Sequence, residues 1–244
     1  MSAPTIRKFG DLDALSRAAA EEFASLAREA IAARGVFHVA LSGGSTPKRM
    51  FQLLAAQGKA ALPWDQIDLW WGDERTVPPD HKDSNYGMTR DALITPLSLT
   101  RVHRIHGEEA AETAANDYEK ELVGSLGAPP VFDLALQGMG PDGHTASLFP
   151  HSPALAEKQR WVVANPVDSP LTKGKTTRIT LTAPAINAAR HIRFLVGGAD
   201  KADSLAAVLQ GPRDTTRYPS QLIAGADTVW LVDDAAASKL GGTT

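Results

Sequence analysis

Short apolar runs rich in Val, Ile, Leu and aromatic residues punctuate the chain. They fall at Val36–Leu41, Ile67–Trp71, Phe132–Leu136, Trp161–Ala164, Arg178–Leu181, Ile192–Val196 and Thr228–Val232. Each has the length of a strand, and several are nearly continuous rather than alternating. Continuous runs suit strands buried on both faces, as in a parallel sheet. Between them, apolar residues recur at steps of three and four. The clearest case is Leu12, Leu15, Ala19, Phe23, Leu26 and Ala30, one apolar face of a helix that Gly35 is placed to stop. Glu21 and Glu22 sit in its middle, with Arg28 and Arg34 toward its C-terminal end, where the dipole favours cations. Further helices are predicted at about Pro47–Ala56, Ser84–Leu93, Glu108–Leu126, Ala183–Ala189 and Lys201–Leu209. Strands alternating with helices predict an α/β fold: a doubly wound, mostly parallel sheet with helices on both faces. Pro166–Lys175 holds two prolines, a glycine and two lysines, and reads as a mobile loop. There is no linker, repeat or heptad pattern, so residues 1–244 read as one domain, although the length alone also admits two small ones.

Composition narrows the chemistry. The chain has no cysteine, which excludes disulfides, thiolate nucleophiles, iron–sulfur clusters and Cys-ligated zinc. The formal net charge is −3, without the basic excess of a nucleic-acid binder, so cations that meet a small anion must be gathered locally. The N-terminal MSAPTIRKFGDLDAL meets charge before any apolar run, unlike a secretory signal. No stretch approaches the ~18–20 apolar residues of a membrane-spanning helix. A cytoplasmic location is expected, with neither nucleic acid nor membrane as partner, and the sequence leaves protein partners open.

In a doubly wound fold ligands bind beyond the carboxyl ends of the strands, and three motifs sit at such ends. The first, Ser42-Gly43-Gly44-Ser45-Thr46-Pro47, leads from a strand into a helix. Thr46 suits the N-cap and Pro47 the first helical position. Gly43, Gly44, Ser45 and Thr46 would offer backbone N–H groups and hydroxyls to a phosphate at the helix start. The spacing is not that of a Walker A loop, and an ordinary capped Gly-rich turn reads the same way locally. The second motif, Trp70-Trp71-Gly72-Asp73-Glu74-Arg75, places Asp73 and Arg75 after a possible sharp turn. Arg75 suits phosphate oxygens, while solvated strand-end charges are the plainer alternative. A long polar loop follows, ending at a cap on Asp83 or Ser84. The third, Gly138-Met139-Gly140-Pro141-Asp142-Gly143-His144, continues to Pro150. It contains a GxGxxG match, but no long helix follows, which argues against a dinucleotide site. A histidine on such a turn can reach a ligand and exchange protons near neutrality, so His144 is the candidate acid–base group. Asp142 either orients it or closes an Asx-turn. Lys201, after a strand and at a helix start, either meets an anion or is solvated. His103 and His106 lack a third ligand nearby and read as solvated loop histidines, as do His81 and His151.

The segments GGSTP, WGDER, SNYG, GMGPDGHTASLFP and RITLT…INAARH…VGGADK occur in this order from about Ser42 to Leu209. In this the chain resembles the 6-phosphogluconolactonases, within the glucosamine-6-phosphate isomerase superfamily. The resemblance implies a single α/β domain that hydrolyses 6-phospho-D-glucono-1,5-lactone to 6-phospho-D-gluconate in the oxidative pentose phosphate pathway. It implies no cofactor and no metal. The isomerases resemble DGHIAFNEP at the third motif, with a glutamate five residues after the histidine. Here that position is Phe149, which cannot move protons. That difference, and Arg75 at the second motif, favour the lactonase. The expected mechanism uses His144 as general base and then acid, with Asp142 orienting it. Gly43, Gly44, Ser45, Thr46, Asp73, Arg75, Arg178 and Lys201 would contact the sugar phosphate. A sugar-phosphate-sensing regulator is the alternative of another class, but no DNA-binding segment accompanies the α/β pattern.

Overall fold

The computed structural model describes residues 4–241. The chain opens with β1 (Thr5–Phe9) and α1 (Leu12–Arg34). Asp11 caps α1 by accepting from the Ala14 N–H, and Gly35 ends it at φ 79°, a left-handed conformation that glycine adopts without strain. The buried stripe of α1 includes Leu15, Ala19, Phe23, Leu26, Ala27 and Ala30, the face marked by the sequence. Next come β2 (Phe37–Leu41), α2 (Ser45–Ala56), β3 (Ile67–Trp71) and β4 (Asp73–Arg75). Then α3 (Asn85–Thr89), capped by Ser84, runs through a π-turn at Arg90–Ile94 into α4 (Thr95–Leu97). After α5 (Ala111–Leu126) follow β5 (Leu134–Gln137), β6 (Val162–Ser169), β7 (Gly174–Leu181) and α6 (Ala183–Asn187). The described chain closes with β8 (His191–Val196), α7 (Ala202–Gln210) and β9 (Thr228–Asp233).

Six strands form a sheet in the order β1-β9-β8-β5-β2-β3, and every pairing in it is parallel. All five residues of β3 and all four of β5 are buried, as their near-continuous apolar runs require. The expected doubly wound α/β class is what the chain adopts. Helix α1 lies against β1, β2, β8 and β9, and packs on α2. The resulting core includes Phe23, Phe37, Phe51, Trp70, Trp71, Phe132 and Phe194.

Three expectations need correction. The runs at Trp161–Ala164 and Arg178–Leu181 do not join the parallel sheet. They extend into β6 and β7, which form a separate antiparallel sheet in the order β4-β7-β6. Pro166–Lys175 is therefore the distal half of a hairpin rather than a loop, paired from Pro166↔Thr177 to Ser169↔Gly174. Pro166 is tolerated because β6 is an edge strand, where a missing N–H costs no ladder bond. Finally, α2 begins at Ser45 with Gly44 as N-cap, so Thr46 and Pro47 lie inside its first turn. The added strand β1, Thr-Ile-Arg-Lys-Phe, had no apolar run to announce it, because an edge strand needs only partial burial.

Candidate active site

The sheet order brings the motifs together. β8, β5, β2 and β3 are consecutive neighbours, so the loops leaving their carboxyl ends lie side by side: Gly197–Lys201, Gly138–His144, Ser42–Gly44 and Gly72–Arg75. Between them opens a cavity of about 170 Å³ lined by Ser42, Gly43, Gly44, Asp73, Arg75, Asn85, Gly138, Met139, Gly140, His144 and Ala146. Larger, shallower depressions exist, including one of about 460 Å³ along the β6–β7 hairpin. That one has no histidine and no converging loop ends, so chemistry rather than volume selects the site.

His144 is held on several sides. Its Nδ1 lies 2.6 Å from Asp142 Oδ1, and its backbone N–H donates to the same oxygen at 3.1 Å. Asp142 thus closes the turn through the backbone N–H and meets the ring at Nδ1 with the same oxygen. Burial is the largest single influence on the Asp142 pKa and would raise it, but the His144 side-chain hydrogen bond, the His144 charge and backbone N–H donors together hold the carboxyl below its ordinary value. An ionised carboxylate only accepts, so Nδ1 carries the proton and Nε2 is left as the acceptor. No other described residue hydrogen-bonds Nε2. Gly140 makes room for the ring: a Cβ there would sit 2.2 Å from imidazole atoms. Gly143 turns at φ 79°, and its carbonyl accepts from both the N–H and the hydroxyl of Ser220, which anchors the loop. Ala146, on the cavity wall, takes φ 47°, unusual for a residue with a Cβ.

Opposite lies the glycine loop. A Cβ on Gly43 would fall 1.9 Å from Asn85 Oδ1, so this close approach requires glycine. Asn85 donates from Nδ2 to the carbonyl and carboxylate of Asp73, and Asp73 accepts from the Ser147 hydroxyl at 2.6 Å. Arg75 Nη1 donates to the Asp83 carbonyl. Arg178 pairs with Arg75 in the β4–β7 register. Its Nε and Nη1 are buried without a partner. Burial, with the nearby Arg75 charge, lowers its pKa, the signature of a guanidinium short of an anion.

The predicted residues are not placed alike. Gly43, Gly44, Asp73, Arg75 and His144 line the cavity, and Asp142 stands behind His144. Ser45 is exposed and Thr46 buried within the α2 start, and neither lines it. Arg178 and Lys201 also lie outside the lining, and Lys201 is paired with Asp200. Asn85, Ser42 and Met139 line the cavity without having been singled out. Asn85 lies in the SNYG segment, but its contact with Asp73 arises only through the fold. His103 is not a solvated loop histidine. It stacks on Trp70 at 4.0 Å and bonds Asp68 and Glu121. Among the described residues no group of three His, Cys, Asp or Glu side chains could hold a metal ion, and no helix is long and apolar enough to cross a membrane.

A family model described as glucosamine-6-phosphate isomerases/6-phosphogluconolactonase matches residues 10–230. A 6-phosphogluconolactonase of Synechocystis sp. is 41% identical over 87% of this chain and 88% of its own. One from Mycobacterium tuberculosis is 39% identical over 97% and 98%. Among solved structures, the 6-phosphogluconolactonase of Trypanosoma cruzi superposes with a TM-score of 0.88 at 30% identity, over 99% of each chain. A monomeric glucosamine-6-phosphate deaminase, 22% identical, shares the fold with a TM-score of 0.82 over 96% of this chain and 99% of that one.

Proposed function

Because the chain belongs to the glucosamine-6-phosphate isomerase/6-phosphogluconolactonase family, we propose that it works by His144-assisted attack of water on C1 of 6-phospho-D-glucono-1,5-lactone. The enzyme is a lactone hydrolase, and its reaction belongs to the oxidative pentose phosphate pathway. The single observation that carries the mechanism is His144 itself, with Nδ1 committed to Asp142 and Nε2 open at the cavity.

Nε2 takes a proton from water as its oxygen bonds to C1. The carbonyl electrons move to oxygen, giving a tetrahedral oxyanion. Collapse breaks the bond between C1 and the ring oxygen, which receives the proton from His144. The products are the open-chain hydroxyl and a carboxylic acid that ionises in water. Asp142 stabilises the transient imidazolium without itself accepting the proton. Several N–H groups of the third motif are already spent: Gly140 N donates to the His144 carbonyl, Gly143 N to the Gly140 carbonyl and His144 N to the Asp142 carboxylate. Stabilisation of the oxyanion therefore falls to other groups lining the cavity.

At the far end of the cavity, Gly43 and Gly44 at the start of α2 offer N–H groups to the phosphate. Arg178, with its unpartnered donors, and Arg75 supply charge. Like Arg178, Ser45, Thr46 and Lys201 lie outside the cavity lining, and they complete the site only if side chains turn inward. Holding the phosphate fixes C1 against the water. The lactonase reading is favoured over the isomerase one because Phe149, not a carboxylate, lies on the His144 ring.

Two measurements test this. His144→Ala should lower turnover of freshly made 6-phosphogluconolactone at least ~10²-fold, and near-wild-type turnover would remove His144 from the role. Arg178→Ala should raise KM for the phosphorylated lactone about tenfold or more while sparing unphosphorylated gluconolactone. An equal loss on both substrates would refute the phosphate assignment.

A further inference from the structure

We infer that Phe149 is a positioning residue that holds the His144 imidazole in its reactive orientation by stacking on its face. The inference rests on the reading of His144 as the acid–base group. The two rings are 4.2 Å apart between centroids and 18° from parallel. Phe149 is only 6% exposed, and the His144 imidazole covers one face of its ring. Its main chain is pinned as well: the Phe149 carbonyl accepts from the Ser152 N–H and hydroxyl.

The ring of His144 has two soft torsions. The Asp142 bond restrains Nδ1, but one hydrogen bond leaves rotation about the axis through that contact. A flat partner removes this freedom, because tilting the imidazole would lose the stacking contact. The space kept by Gly140 makes the orientation possible, and Phe149 makes it the only packed one. Nε2 then faces the cavity without being drawn into a bond with protein. Phe149 touches neither water nor lactone in this role, and acts through His144 alone.

The test is a double-mutant cycle with steady-state kinetics on 6-phosphogluconolactone. Phe149→Leu keeps apolar volume and loses the flat face. It should lower kcat about tenfold or more and leave KM within about twofold, since phosphate binding is untouched. Phe149→Tyr should restore most of kcat. In a His144→Ala background, Phe149→Leu should cost nothing further, because the group it positions is gone. Thermal melts establish that each variant is folded, and if Phe149→Leu is not, Phe149→Met takes its place. Wild-type kcat in Phe149→Leu, an equal fold-loss in both backgrounds, or no recovery in folded Phe149→Tyr would each overturn the positioning role while leaving His144 in place. Full activity of His144→Ala alone would instead overturn the acid–base reading, and this inference with it.

Discussion

At the scale of single residues, the site is built by denying His144 its alternatives. Asp142 takes Nδ1, and the missing side chain of Gly140 leaves the ring its place. A methyl group at position 140 would meet rigid ring atoms at 2.2 Å, and the ring cannot yield without losing Asp142. Gly140→Ala is therefore expected to cut kcat on the order of 10²-fold, the scale of a misplaced catalytic group. Circular dichroism and steady-state kinetics together check this. A folded Gly140→Ala enzyme with unaltered kcat would show that the ring has another productive position. The motif containing His144 and Asp142 was legible in the sequence because it is local. Arg178 entered only through the resemblance, and its unpartnered buried nitrogens became visible when β7 was laid beside β4.

At the scale of elements, one buried carboxylate fastens the second motif to the start of α3. Glu74 accepts from the N–H groups of Arg75, Asn85 and Tyr86 and from the Ser84 hydroxyl, at 2.7 to 3.0 Å. Burial pushes its pKa up, and the backbone donors pull it down only in part, so it stays above the ordinary carboxylate value. Removing it leaves several buried donors without an acceptor. Glu74→Ala should lose on the order of 3 kcal/mol of stability and raise KM, because Asn85 is released from the cavity wall. Denaturant melts and kinetics measure the two effects, and a Glu74→Ala protein as stable as wild type would mean that water satisfies those donors. Helix α1 and the parallel strands other than β1 followed from the apolar pattern alone, since their burial is one-sided or nearly complete. The hairpin did not. Its distal half, Pro166 to Lys175, is polar and partly exposed, so pairing with its own partner strand, not composition, makes it regular.

At the scale of the molecule, the two ends of the sheet divide the work. The carboxyl ends of β8, β5, β2 and β3 hold the site. Near the amino end of β3, Asp68 is clasped by both nitrogens of the Arg101 fork at 2.7 Å and by His103 at 3.2 Å, with His38 beside it. Burial would lower the His103 pKa, but its bonds to Asp68 and Glu121 outweigh that and raise it above the ordinary 6.5. The folded state thus binds this proton more tightly than the unfolded chain. The contribution is complete below 6.5 and is lost as pH rises through the raised value. Asp68 runs the other way. Burial would raise its pKa, yet His103, His38 and Arg101 hold it below the ordinary 3.8, so its contribution is present above 3.8 and lost as pH falls through the lowered value. The unfolding midpoint should decline as pH rises from 6.5 through the raised His103 value, and His103→Gln should flatten that decline. Calorimetry across the range decides it, and equal slopes in both proteins would show that His103 carries none of the effect.

By itself, the sequence determined the class of fold, the main helix, the strand ends and the histidine proposed as the acid–base group. Those features depend on residues adjacent in the chain or repeated at the helix or strand period, and local chemistry suffices to read them. Only the tertiary structure decided which strand ends become neighbours. It set Asn85 against Gly43, left Arg178 without a partner, and drew His103 onto Trp70. Each of those contacts joins residues far apart in the chain. They arise from the order in which parallel strands pair, which the hydrophobic pattern constrains only to a set of alternatives.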